Sequence, residues 1–109
     1  MAYDEDLAER VRDALEGERG LAEKKMFGGL AFLLDGNMAV GVTGDALMVR
    51  LSAADGEDAL AEPGARPFDM TGRPMKGWLL VDPAGHRKAA DLGRWVGRGV
   101  AFARTMPPK

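Results

Sequence analysis

The sequence contains no cysteine. That excludes disulfides, thiolate metal sites and a cysteine nucleophile, and it fits a reducing compartment. Histidine and serine each occur once, as His86 and Ser52. Ser52 begins an acidic stretch, and the nucleophile-elbow pattern G-x-S-x-G is missing, so no Ser-His-Asp arrangement can be built. His86, between Gly85 and Arg87, is expected on the surface. Aromatic residues make up only 6% of the chain. No apolar run approaches the roughly 20 residues that cross a bilayer. The N-terminus, MAYDEDLAER, is acidic where a secretory signal would be basic and then apolar. The expectation is a cytoplasmic protein with no membrane contact, no catalytic residues, no metal and no cofactor.

The chain does have 109 residues, 46% hydrophobic and 29% charged, which suits one globular domain spanning 1–109. Net charge is −2 but unevenly spread. Residues 1–23 carry eight acids against Arg10, Arg12 and Arg19. Residues 79–109 carry six cations against Asp82 and Asp91. Two terminal helices with solvated or mutually attracting faces account for this pattern.

Period and punctuation predict the elements. Tyr3–Leu15 is helical, with Leu7, Val11, Ala14 and Leu15 on one face, acids in its first turn and Gly17 and Gly20 beyond its end. Met26–Leu34, Met38–Val42 and Ala46–Leu51 are strands joined by the turn signals DGN and TGD. Ser52 caps a short helix that Gly56 weakens. Phe68–Met70 reads as an edge strand behind Pro67, and Met75–Val81 as a better one. Asp82 and Pro83 form a turn. His86–Arg104 is the second long helix, and the tail MPPK is loose. The fold class is α+β, an antiparallel sheet of about five strands flanked by an N-terminal and a C-terminal helix.

Two stretches invite a functional reading. In KKMFGG (Lys24–Gly29), lysines precede a glycine pair, as in phosphate-binding loops. Such loops need a helix after the glycines. Here a strand and turn follow, so the glycines mark a bulge or a face, with Gly29 and Ala31, where a long helix packs closely. Gly93, Gly97 and Gly99 would suit that contact, each lowering intrinsic helicity by roughly 1 kcal/mol. In RPFDMTGRPMKGW, Arg66, Arg73 and Lys76 stand near Phe68 and Trp78. Cations interleaved with aromatics suit a binding surface. The candidate binding residues are Lys24, Lys25, Arg73, Lys76 and Trp78.

EKKMFGGLAF (Glu23–Phe32), GNMAVGV (Gly36–Val42), LMVRL (Leu47–Leu51), PFDMTGRPMKGW (Pro67–Trp78) and the WVGRGVAFARTMPPK end run in order without large gaps. Together they resemble the N-terminal domain of the TfoX/Sxy family over nearly the whole chain. The resemblance implies helices packed on an antiparallel sheet and a setting in bacterial competence. Longer members act in transcriptional control of DNA uptake beside a catabolite-type activator. They also carry a C-terminal domain of helix-hairpin-helix character, which does not appear here. The family offers no catalytic residues to transfer. The expected function is a protein-interaction or regulatory domain whose partner is another protein. Direct nucleic-acid binding is the less favoured alternative, since net charge opposes it, and a small ligand-binding protein or enzyme comes after that. Sheet edges leave room for a homodimer.

Overall fold

Asp4 sets the first helix. Its extended backbone leaves Oδ1 to accept from the amides of Asp6 and Leu7, at 2.9 and 3.2 Å. In the computed structural model, which describes residues 3–26, 28–69 and 74–109, helix α1 spans Glu5–Ala14 and buries Leu7, Ala8 and Val11. Gly17, at φ 87°, turns the chain out of it.

Among the described residues six strands follow, one more than expected: β1 (Leu21–Met26), β2 (Gly29–Leu34), β3 (Asn37–Thr43), β4 (Ala46–Arg50), β5 (Ala65–Asp69) and β6 (Pro74–Val81). They form one antiparallel sheet in the order β1-β2-β3-β4-β6-β5. The additional strand is β1, LAEKKM. It lies at the edge with nearly every residue exposed, so it has no alternating apolar signature. Met26–Leu34 is therefore not one strand. Met26 pairs with Gly29, and Gly28, at φ 71°, sits in the hairpin turn between β1 and β2. Asp35 and Gly36 both have positive φ, the requirement of a type I′ hairpin.

The sheet has two apolar faces. Leu30, Phe32, Val40, Val42, Leu47, Val49, Leu79 and Val81 join Leu7, Val11, Leu92 and Trp95 in the main core. The opposite face gathers Ala31, Met38, Met48, Phe68 and Leu80, with Met26, Leu33 and Trp78 at its margin. Helix α4 (Ala89–Ala103) thus packs on the Leu30–Phe32 side, not on the Gly29–Ala31 side. A Cβ on Gly29 would stand 2.0 Å from the Val42 carbonyl, so that glycine accommodates the neighbouring strand. Close helix approach occurs instead at Gly99, whose added Cβ would lie 2.5 Å from the Ala39 carbonyl.

Between β4 and β5 lies α2 (Ala53–Ala59), capped by Ser52, whose Oγ accepts from the Asp55 amide at 3.1 Å. Asp82–Pro83 starts a single helical turn, α3 (Pro83–His86), rather than a plain turn. That turn carries His86 inward. The residue is 5% exposed, and Nε2 donates to the Asp45 carbonyl at 2.9 Å. The surface placement expected for His86 is thereby corrected: α3 presses it against the β3–β4 turn. The tail is also fixed. Asn37 Nδ2 donates to the Pro107 carbonyl at 2.9 Å, and the Lys109 amide donates to the Asp35 carbonyl at 2.8 Å. Arg104 adds contacts to Asp35 and Glu18, both at 3.1 Å, joining the basic end of the chain to its acidic start.

Candidate functional site

Gly77 gives the β6 side of the site its shape. It has φ 83°, and a Cβ there would lie 2.3 Å from the Leu51 carbonyl. Its own carbonyl accepts from the Leu51 amide at 2.7 Å. Gly56 of α2 comes down on the same point, since its added Cβ would stand 2.7 Å from the Gly77 Cα. Two glycines back to back thus let α2 lie directly on β6, and Gly56 serves the packing although it lowers helix propensity. Beside this contact runs a groove of about 600 Å³. Leu60 just after α2, Pro67, Trp78 and Leu79 supply apolar wall; Glu57 and Lys76 supply the charges.

Trp78 is half-buried and held in place. The Arg50 guanidinium lies 5.1 Å from its ring centroid and 5.7 Å from that of Phe102. The Phe68 ring is 6.2 Å away at 45°. Such packing fixes the indole as a rigid wall. Lys76 is exposed, and no ion pair holds it among the described residues.

Of the candidate binding residues, Lys76 and Trp78 share this groove. Lys24 and Lys25 lie on β1, beyond β2, β3 and β4 from β6. That is about 19 Å measured along the sheet, at the usual spacing of about 4.8 Å per strand. They belong to a different surface. Arg73 lies outside the described residues. Arg66 is on β5, paired with Asp82 at 2.9 Å. Sequence reasoning missed the α2 side of the groove. The readable signal was Gly56 inside an otherwise capped helix, a position where close backbone approach was worth asking about.

A second cleft, about 440 Å³, is lined by Arg87, Lys88 and Arg94 with Asp91 among them. Arg94 is engaged by Glu62 at 2.5 Å and by Asp91 at 3.7 Å. Among the described residues, no three His, Asp or Glu side chains converge to hold a metal ion. No helix among them is long and apolar enough to cross a membrane. Among the described residues, the buried polar side-chain atoms without a protein partner are His86 Nδ1 and Trp95 Nε1; neither residue lines the groove.

A family model described as the TfoX N-terminal domain matches residues 13–103, nearly the whole chain. No curated protein and no solved structure matches it.

Proposed function

Because the chain belongs to the TfoX N-terminal domain family, we propose that it is a small cytoplasmic protein-interaction domain with a regulatory, non-catalytic role, and that the α2–β6 groove is its contact surface. The observation that supports this is the groove itself: Leu60, Pro67, Trp78 and Leu79 form an apolar trough with exposed Lys76 at its edge. A rigid aromatic wall and an accessible cation are the usual ingredients of a recognition hot spot. The partner that fits is a protein segment that inserts an apolar side chain and places a carboxylate near Lys76. Transcriptional control of DNA uptake, the setting of longer family members, is the regulatory context we assign.

The test is affinity capture from bacterial extract with the whole chain as bait, followed by titration of the captured protein. Lys76→Glu should weaken binding by about tenfold, which corresponds to about 1.4 kcal/mol. The substituted side chain is exposed, so the fold should be unaffected. Undiminished affinity of Lys76→Glu and of Glu57→Lys would sink the groove as the contact surface. Retardation of DNA that collapses with added salt would favour nucleic-acid binding instead.

A further inference from the structure

The outer edge of β1 has a backbone pattern and a side-chain order that match a second copy of itself. Among the described residues, β1 ends the sheet and bonds only β2. The Asp35 amide donates to the Gly20 carbonyl at 3.0 Å, which fixes the alternation along the strand. In an antiparallel ladder a residue's N–H and C=O point the same way, and successive residues alternate. Ala22, Lys24 and Met26 therefore bond β2, while Leu21, Glu23 and Lys25 turn their amides and carbonyls outward. A free edge of this kind attracts strands, and lysines on it discourage indiscriminate pairing. A partner strand must therefore offer carboxylates opposite the lysines.

This strand does so itself through Glu23, whose carboxylate accepts two 2.8 Å bonds from Arg12 and keeps lone pairs for a second cation. A two-fold axis through Lys24, perpendicular to the sheet, sets Glu23 opposite Lys25 of the second copy, and Lys25 opposite its Glu23. These are the outward-bonding residues, so the two pairs would exchange four backbone hydrogen bonds. Both side chains stand on the helix-bearing face, because Glu23 opposes Phe32 and Lys25 opposes Leu30 across β2. On the other face, Ala22 meets Met26 of the second copy. Ala22 is opposite Leu33, and Leu33 and Met26 border the second apolar cluster. That cluster would continue across the junction. Only the Lys24 pair is like-charged, and its long stems can splay into solvent.

We propose that the chain associates with a second copy through antiparallel β1 edges in this register, giving a continuous sheet of twelve strands. A single strand pair covers less surface than the ~1,200 Å² of a standard stable interface. The association should therefore be concentration-dependent.

Sedimentation and light scattering over about 5–500 µM give the mass. The expected result is a rise from 11.7 kDa towards twice that value. Lys25→Glu sets carboxylates opposite each other twice and should weaken association by about tenfold. The native absence of cysteine allows a clean register test. Lys24 residues would face each other as a non-hydrogen-bonded pair, with Cα atoms about 4.5 Å apart, inside the range a disulfide bridges. Lys24→Cys should therefore cross-link with copper phenanthroline and oxygen much faster than Lys88→Cys, an exposed position elsewhere. A constant monomer mass, with Lys24→Cys no faster than Lys88→Cys, overturns the proposal. So does a dimer that survives Lys25→Glu and is not trapped by cross-linking of the Lys24→Cys variant.

Discussion

Three glycines of one helix carry opposite consequences. Gly93 and Gly97 of α4 face solvent, and an added Cβ would meet nothing within 4 Å. Gly99 is buried, with the Ala39 carbonyl 2.5 Å from where its Cβ would be. Gly93→Ala and Gly97→Ala should each stabilise the protein by about 0.5–1 kcal/mol, by restricting the unfolded chain and favouring helix. Gly99→Ala should destabilise it by about 1–3 kcal/mol, because backbone must move. Urea unfolding of the three variants decides the matter; equal effects at all three positions would contradict it. Helical spacing sets Gly99 on one face with Leu92, Trp95 and Val96 and leaves Gly93 and Gly97 off it, but it does not say what Gly99 meets. That contact depends on where β3 passes, and the irregular register near Ala39 is a property of strand pairing.

Ion pairs join elements distant in sequence. Glu62, just beyond α2, accepts from Arg94 and Arg98 of α4 at 2.5 and 2.6 Å. Burial pushes its carboxyl up, but the two guanidiniums together outweigh this and hold it below the usual range. On the other side of the molecule, Glu23 of β1 receives two 2.8 Å bonds from Arg12 of α1. That guanidinium lowers the Glu23 carboxyl more than burial raises it. A depressed folded value means stability that is fully present above the ordinary carboxylate range and lost as pH falls through the depressed one. Stability should therefore decline as pH falls below the ordinary carboxylate range, with Glu23→Gln/Glu62→Gln showing a flatter profile. Both groups touch solvent, so the difference should be modest. Thermal melts across that range measure it, and parallel profiles would refute it. The long-range pairing of acidic start with basic end was partly legible. Arg104 reaches Glu18, while Arg94 and Arg98 turn to Glu62 in the middle of the chain.

At the scale of the molecule, the sheet separates two surfaces that the sequence places in one list. Lys24 and Lys25 border β1, whereas Lys76 and Trp78 border the α2 groove on β6, with three strands between. The two should act independently. Lys76→Glu should leave the sedimentation behaviour of the chain unchanged, and Lys25→Glu should leave partner capture within about twofold, as expected for sites without shared contacts. Reciprocal loss would mean one continuous surface. The α+β class, the capped helices, the Asp35–Gly36 hairpin and family membership were all readable along the chain. Each rests on local chemistry: a cap, a turn with positive φ, an alternation of apolar residues. Tertiary structure alone decided that LAEKKM is an edge strand, that Gly56 and Gly77 meet, that His86 is buried and that the tail is pinned. Each of these depends on which backbone segments come within a few ångströms of each other. That proximity is set by the packing of the whole chain, and no window of sequence contains it.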